Sequence, residues 1–281
     1  MIGAVSAEWL KIRKRPAVWV LAGVLLAILA LLGYALTWFF LSNPPRGSTF
    51  PPGTSAADFK KAVYPVNFVR NALSGSGTVG SAIALILGVL TVGSEFGWGT
   101  FKTVYTQRPG RITALCARLV VLGATVAIFV LAFYLTAAVC SVVLALVDGV
   151  AIVWPNPYDI VRALASTWLT WSLWTGFGVA LSFLFRQAAL AIGLGLVYQL
   201  IVEGLVFSIL RNLPGESFRT VQKFFPGPNA EALVQSFGQV VPLRGQPPPL
   251  VGPVQAALVL AAYLLAFLIF SAFLVRRRDV T

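Results

Sequence analysis

The sequence predicts an all-α integral membrane protein with six transmembrane helices, and two observations support this prediction. The chain has 281 residues, of which 58% are hydrophobic and only 11% are charged. Because a soluble domain carries about 25% charged residues, most of this chain is expected to lie in lipid. Apolar runs long enough to cross a bilayer, roughly 20 residues each, recur six times. Residues 1–281 are therefore predicted to form a single transmembrane domain.

Six apolar segments define the predicted spans. They cover about residues 17–41, 77–93, 112–147, 163–185, 188–210 and 253–275. The second is the shortest, and the third is too long for a perpendicular crossing, so it should tilt or project beyond the bilayer. The first run is longer than the apolar part of a signal peptide and lacks a small-residue cleavage site. It is predicted to be a retained span.

Lys and Arg residues determine the predicted orientation. With the N-terminus in the cytoplasm, six spans return the C-terminus to the same side, and the segments there carry Lys and Arg at the higher density. The closing sequence RRRDVT adds to this bias. The net charge of +12 is thus assigned to membrane topology, and no nucleic-acid partner is predicted.

The residue inventory argues against chemistry within this chain. There is no histidine, which removes His-based acid–base catalysis and imidazole metal sites. Cys116 and Cys140 lie in one apolar run, where packing explains them better than a disulfide does. We therefore predict no catalytic residue, no metal site and no cofactor in this chain.

The first outer segment, residues 42–76, is rich in Pro and Gly and carries one helix signal. Ser55 and Asp58 match a capping box directly before the sequence FKKAV. A short helix is predicted to begin there.

The third outer segment, residues 211–252, is predicted to contain two short helices separated by Pro226-Gly227-Pro228. Asn229 is suited to cap the later helix, with Glu231 in its first turn. The earlier helix is amphipathic, with Phe218, Val221, Phe224 and Phe225 on one face and Arg219, Gln222 and Lys223 on the other.

Residues 4–15 are predicted to form an amphipathic helix at the inner membrane surface. Apolar side chains recur at spacings of four, three and four residues from Val5 through Trp9 and Ile12 to Pro16. Charged residues occupy the other faces, and Pro16 is suited to begin the first span. On the residues alone, a simple positive-inside anchor and a more specific role both stay open.

The segment SEFGWGTFKTVYTQRPGR, residues 94–111, lies between the second and third spans. Thr100 is suited to cap a helix of about two turns, which a Pro-Gly turn ends. This helix would carry an apolar face and three bases: Phe101, Val104 and Tyr105 with Lys102, Arg108 and Arg111. A simple crossing needs only a few residues, so a docking element is favoured over a solvated turn.

Two acids stand in apolar surroundings, where a carboxylate is costly unless it is paired. Glu95 ends the second span, and Arg118, at the start of the third, is one candidate partner. Glu203 lies in the fifth span, one helical turn after Gln199 on the same face. The pattern leaves two roles for Glu203, structural pairing or lining a transport pathway or its outer gate.

The fourth span combines tryptophans with small residues. Trp168, Trp171 and Trp174 are explained by an aromatic belt at the outer interface at least as well as by ligand stacking. A stripe of Ser172, Gly176 and Ala180 favours close helix packing over a substrate groove.

The string GSEFGWGTFKTVYTQRPGRITALCARLV resembles the loop between the second and third spans of type-2 ATP-binding-cassette (ABC) export permeases. The residues that carry the resemblance are Gly93, Ser94, Glu95, Phe96, Gly99, Thr100, Lys102, Arg108, Arg111 and Arg118. The opening AEWLKIRKRPAVW is similar to the elbow helix that leads into the first span of that family. The motifs cover about 45 residues, whereas the architecture covers the whole chain.

The resemblance implies a complete fold and a mode of action. The fold is six transmembrane helices with an N-terminal amphipathic elbow helix, a cytoplasmic coupling helix between spans two and three, and short extracytoplasmic helices before span six. The coupling residues would be Glu95, Phe96, Gly99, Thr100, Phe101, Lys102, Tyr105, Arg108, Arg111 and Arg118, and the elbow residues Glu8, Trp9 and Arg13.

The same resemblance implies partners for the chain. Two copies of a cytoplasmic ABC ATPase would bind ATP and Mg²⁺, since this chain has no G-x-x-x-x-G-K-[ST] phosphate loop. A second permease subunit would complete a homodimer or heterodimer in the lipid of a prokaryotic cytoplasmic membrane. The scarcity of polar groups in the spans favours a hydrophobic or amphipathic substrate.

Three other function classes are weighed against an ATP-driven exporter. An ATP-independent secondary transporter or channel is disfavoured by the single acid in the middle of an apolar run and by the lack of inverted repeats. A membrane-embedded enzyme is disfavoured by the absence of histidine. A non-transporting anchor or sensor would tolerate changes at Glu203 but not in the docking loop.

Overall fold

The computed structural model describes residues 2–45, 50–51, 53–97, 110–206, 209, 220–238 and 249–277. These residues are mostly helical, and none of them forms a strand. Six helices are long and apolar enough to cross a membrane, and we number them span 1 to span 6: Pro16–Ser42, Pro65–Phe96, Arg111–Val147, Pro157–Phe185, Ala188–Val206 and Pro253–Arg277. The predicted fold class, an all-α protein with six membrane-crossing helices, is confirmed.

The span boundaries follow from local chemistry. An N-terminal helix, Ile2–Lys14, is followed by Pro16 at the first position of span 1, where a missing N–H costs nothing. Asn156 caps span 4 by accepting a hydrogen bond from the backbone N–H of Tyr158. Arg186 adopts a left-handed conformation with φ 54°, which ends span 4 and lets span 5 begin at Ala188.

The second span is longer than its apolar sequence indicated. Its helical path begins at Pro65 rather than at residue 77 and runs for 32 residues, so it is not the shortest span. The added part includes the helix Phe68–Gly75, whose exposed polar side chains hid it from a hydropathy criterion. Span 3 is one uninterrupted helix of 37 residues. At 1.5 Å per residue it is about 55 Å long, more than the bilayer core requires.

Spans 2 and 4 form the centre of the helix bundle. Each is 67% buried over its most apolar window, against 22–33% for the other spans. A Cβ on Gly88 would strike the carbonyl of Thr175, and one on Gly178 would strike the carbonyl of Leu85. Glycine is therefore required at Gly88 and Gly178 for the backbones of spans 2 and 4 to meet. Gly176, from the predicted small-residue stripe, instead packs against Leu264 of span 6.

The tryptophans of span 4 lie inside the protein. Trp171 and Trp174 are buried, and the indole N–H of Trp171 donates to the carbonyl of Ser76 at 3.1 Å. The aromatic-belt interpretation is therefore wrong for Trp171 and Trp174, because span 4 is a central helix with little lipid-facing surface. Trp168 is partly exposed and donates to the carbonyl of Gly123.

Three spans contain wide π-helical turns, all in the half of the bundle opposite the N-terminal helix. They are Leu29–Leu36 in span 1, Ser76–Gly80 in span 2 and Val197–Val206 in span 5. Such turns are uncommon and often mark functional sites.

Asp148 ties the first outer segment to the bundle. Its carboxylate accepts hydrogen bonds from Trp38 at 2.8 Å, Lys60 at 2.9 Å and Tyr64 at 2.8 Å. Although burial raises its pKa, these three donors bring the pKa of Asp148 below its ordinary value. Burial and the nearby carboxylate raise the pKa of Tyr64 to about 12. The predicted capping box of Ser55 and Asp58 is confirmed at the start of the helix Ala56–Lys60.

The third outer segment differs from its prediction. The outer helix, Pro226–Gln235, begins at Pro226, so Pro226-Gly227-Pro228 forms its first turn instead of a break between helices. Asn229 is not the cap and Glu231 is not in the first turn. The amide of Asn229 donates to the carbonyls of Lys223 at 2.8 Å and Phe225 at 2.7 Å.

In the stretch just before the outer helix, Val221 and Phe224 lie on a different side from Gln222, as predicted. Gln222 is 1% exposed, whereas Val221 and Phe224 are exposed. Beside a membrane, apolar side chains gain nothing by turning away from lipid, so amphipathicity alone does not fix the buried face. Phe218 and Arg219 lie outside the described residues.

Candidate functional site

Two acids and one arginine are buried together where the N-terminal helix meets spans 2 and 3. Glu95 and Arg118 are each 2% exposed, and Glu8 is also buried. Arg118 Nη2 lies 2.6 Å from Glu95 Oε2, and Arg118 Nε lies 3.2 Å from Glu8 Oε2. The pairing of Glu95 with Arg118 was indicated by the sequence, whereas the inclusion of Glu8 was not.

Two further bases complete this group. Lys11 Nζ lies 2.7 Å from Glu8 Oε1 and 3.4 Å from Glu95 Oε1, and Arg15 Nη2 lies 3.5 Å from Glu95 Oε1. Arg15 Nη1 also donates to the carbonyl of Leu90 at 3.0 Å. We call Glu8, Lys11, Arg15, Glu95 and Arg118 the ionic cluster.

The bases of the cluster favour the ionised form of Glu8. Burial alone raises the pKa of Glu8, but Arg118 and Lys11 bring that pKa below its ordinary value. Burial lowers the pKa of Arg15, although Glu95 opposes this effect. Removing one member of such a buried group leaves an uncompensated charge, at a typical cost of about 3–5 kcal/mol.

The ionic cluster flanks both ends of residues 98–109, which lie outside the described part of the chain. Glu95 is two residues before Gly97, and Arg111 begins span 3 on the other side. Phe96 packs edge-on against Phe183 of span 4, with ring centroids 6.2 Å apart. The predicted coupling residues outside the described part are Gly99, Thr100, Phe101, Lys102, Tyr105 and Arg108.

The remaining predicted elbow residues do not join the cluster. Trp9 is 40% exposed and Arg13 is exposed. The carbonyl of Arg13 accepts a hydrogen bond from Trp19, which links the N-terminal helix to span 1. Lys11 and Arg15 were missed as site residues, although Lys11 follows Glu8 at helical spacing.

A second site lies at the opposite end of the bundle, around Glu203. This carboxylate is 7% exposed and accepts hydrogen bonds from Tyr198 Oη at 2.5 Å and from the backbone N–H of Gly227 at 2.6 Å. Its described partners are thus a phenol and an amide of the outer helix, not a base. A Cβ on Gly227 would strike Glu203, so glycine lets the outer helix approach span 5.

Glu203 borders a cavity of about 330 Å³ between spans 2, 4 and 5 and the outer helix. We call it the Glu203 cavity. Gln199, which the sequence placed beside Glu203, also lines it. Two of the three π-helical turns, Ser76–Gly80 and Val197–Val206, contribute to its wall. Among the described residues, no three His, Cys, Asp or Glu side chains come together as a metal site would require.

Comparison with protein-family models assigns the chain. The model described as ABC-2 family transporter protein matches residues 4–202, more than two thirds of the sequence. The matched residues include the ionic cluster and the first five spans as far as Val202. A search of curated proteins finds no significant match. With six membrane-crossing helices and this family match, the chain belongs to the ABC-2 family of membrane transporters.

Proposed function

We propose that this chain is the permease subunit of an ATP-driven exporter, energised by a separate cytoplasmic ATPase. The observation that carries the proposal is the ionic cluster, which joins the N-terminal helix to spans 2 and 3 on both sides of residues 98–109. Membership of the ABC-2 family supports the ATPase partner.

The cluster suits a transmitting role because it connects three elements through charges with little access to water. A force on residues 98–109 reaches Glu95 at one end and Arg111 at the other. Arg118 then passes the displacement to Glu8 on the N-terminal helix, and Arg15 holds the last turns of span 2 through the carbonyl of Leu90. Buried, paired charges tend to move as one unit, since separating them exposes unpaired charge to low dielectric.

In this proposal the termini and residues 98–109 lie in the cytoplasm of a prokaryotic cell, at the inner membrane. Two ATPase copies bind ATP and Mg²⁺, and a second permease subunit, the same or different, completes the pathway. Residues 94–111 act as the coupling segment that meets the ATPase. Gln199 and Glu203 line the outer part of the pathway or its gate, and the substrate is hydrophobic or amphipathic.

The first test is affinity purification of the chain from its native membrane with identification of co-purifying proteins. A stoichiometric soluble protein with a phosphate-binding loop, lost when residues 99–111 are scrambled, is the expected result. A chain that purifies alone, under conditions that keep other membrane complexes intact, would instead favour an ATP-independent transporter or channel.

The second test separates coupling from assembly. Glu95→Ala and Arg111→Glu should lower substrate transport per ATP hydrolysed at least tenfold, or release the ATPase in detergent, without lowering the amount of inserted permease. Arg276→Ala is the matched control, because Arg276 is an exposed base near the end of span 6, outside the ionic cluster. Full transport by both test variants would contradict the coupling role.

A further inference from the structure

The described residues that line the Glu203 cavity carry one sign of charge. Its charged lining residues are Glu203 and Glu231, and no Lys or Arg lines it among the described residues. This is unusual in a chain with 21 basic and nine acidic residues. The carboxyl group of Glu203 is within hydrogen-bond distance of Tyr198 Oη and of the backbone N–H of Gly227. A cation would supply the positive partner that this buried carboxyl group lacks among the described residues.

The other polar groups of the cavity are acceptors or retain acceptor capacity. Gln199 is 6% exposed, and its Oε1 has no hydrogen-bond partner among the described residues. The hydroxyls of Ser76 and Thr170 donate to the carbonyls of Leu73 and Ser166, so their oxygen lone pairs stay available. A ligand that brings donors or positive charge would meet more partners here than one that brings acceptors.

One wall of the cavity is aromatic. Trp174 lines it directly and packs against Phe177 and Tyr198, with ring centroids 5.9 Å and 6.3 Å apart. An indole face beside a carboxylate is a favourable environment for an alkylammonium group, because the ring quadrupole attracts positive charge. A volume of about 330 Å³ is at the lower end of the range for small-molecule sites.

Two arginines stand near the cavity but are engaged elsewhere. Arg70 donates to the carbonyl of Phe237 at 2.8 Å. Arg162 donates to Ser236 Oγ at 2.6 Å and lies over the ring of Phe237, 4.4 Å from its centroid. Both therefore hold the C-terminal end of the outer helix, and neither lines the cavity.

We infer that the Glu203 cavity is a binding site for a monovalent organic cation, an alkylammonium group carrying an apolar body of about one ring. The ammonium group lies between Glu203 and the face of Trp174, and its substituents contact the acceptors of Gln199 and Thr170. Insofar as the cation is the exported substrate, this inference rests on the function proposed above; binding itself needs neither ATP nor an ATPase.

The test is equilibrium binding of radiolabelled benzyltrimethylammonium to the full chain in lipid nanodiscs, without nucleotide or ATPase. Benzylsulfonate, which has a similar apolar body and the opposite charge, is the matched ligand control. We expect benzyltrimethylammonium to bind at least tenfold more tightly than benzylsulfonate. Equal affinity, tighter binding of the sulfonate, or no saturable binding of the ammonium ion would overturn the inference, while leaving the ATPase co-purification result untouched.

Variants then locate the site. Glu203→Gln should weaken ammonium binding at least tenfold and Trp174→Leu about fivefold. Tyr198→Phe removes a hydrogen bond to Glu203 but keeps its charge, so it should change affinity less than threefold. Asp148→Asn removes a negative charge at the same end of the bundle, outside the cavity, and should have no effect. Equal losses in Glu203→Gln and Asp148→Asn would mean that general surface charge, not the cavity, attracts the cation.

Discussion

The ionic cluster and the Glu203 cavity both bury carboxylates within one helix bundle, but they neutralise them in opposite ways. Glu8 and Glu95 are surrounded by Lys11, Arg15 and Arg118, all within 3.5 Å of a carboxylate oxygen. Glu203 is held by a phenol and a backbone amide and borders empty space. Each acid of the ionic cluster has at least two basic partners, whereas Glu203 has no basic partner among the described residues.

This difference indicates that the ionic cluster and the Glu203 cavity have different functions. Acids that are each paired with several bases resist separation from them, so the ionic cluster suits a connection that passes on motion without taking up a ligand. A buried acid beside a cavity is free to exchange partners, so it suits a place where a cation enters and leaves. The wide π-helical turns follow the same division, because two of the three line the Glu203 cavity.

The largest expected effect is at Arg118, the centre of the ionic cluster. Arg118→Met would leave Glu8 and Glu95 without their most deeply buried partner, and we expect the free energy of unfolding to fall by about 3 kcal/mol. Thermal unfolding followed by size-exclusion chromatography in detergent would measure this loss. Arg111→Met is the matched control, because it makes the same change seven residues earlier, outside the cluster. If the two variants unfold at the same temperature, the ionic cluster does not hold the N-terminal helix and spans 2 and 3 together.

A smaller effect is expected where Gly227 meets Glu203. In Gly227→Ala the new methyl group overlaps the carboxylate, so the outer helix must move away from span 5. Overpacking of this kind typically costs about 1–3 kcal/mol, and here it should also weaken ammonium binding. Gly193→Ala, in span 5 but outside the cavity lining, is the control, since its Cβ would meet nothing within 4 Å among the described residues. Unchanged stability and binding in Gly227→Ala would show that the outer helix does not close the cavity.

The sequence predicted the ionic cluster better than the Glu203 cavity, for a physical reason. Hydropathy located six spans. Because an isolated acid in apolar surroundings is costly, the sequence also indicated that Glu95 pairs with Arg118. The cavity depends on features without a local signature. Tyr198 and Glu203 are five residues apart, and they share a face because Val197–Val206 is a π-helix.

The outer helix was misread for a similar reason. Pro226 and Pro228 looked like a break, whereas proline is tolerated in a first helical turn, where the N–H groups have no intrahelical partner. The amphipathic pattern of residues 220–225 left open which face is buried, because in a membrane protein the apolar side of a helix need not be the inner side. Such choices depend on neighbouring helices that a single segment does not reveal.

Asp148 combines the two modes of neutralisation, and it carries the smallest predicted effect. One base and two neutral donors surround it, and its side chain is 16% exposed. Asp148→Asn should cost about 1 kcal/mol, since an amide retains part of the hydrogen bonding but loses the charge. The change would loosen the first outer segment, and hydrogen exchange of residues 56–67 would measure it.

The pH dependence of this contact follows from the direction of the pKa shift. The pKa of Asp148 is lowered from 3.8 in the folded protein, so its stabilisation is fully present above that value and is lost as the pH falls through the folded pKa. The amide protection factors of residues 56–67 in the wild-type protein in acid should therefore match those of Asp148→Asn at neutral pH. Asp58→Asn, which affects only the exposed cap of the helix Ala56–Lys60, should leave Tyr64 and its neighbours protected. Protection that persists in both acid and Asp148→Asn would mean that packing, rather than this carboxylate, anchors the segment.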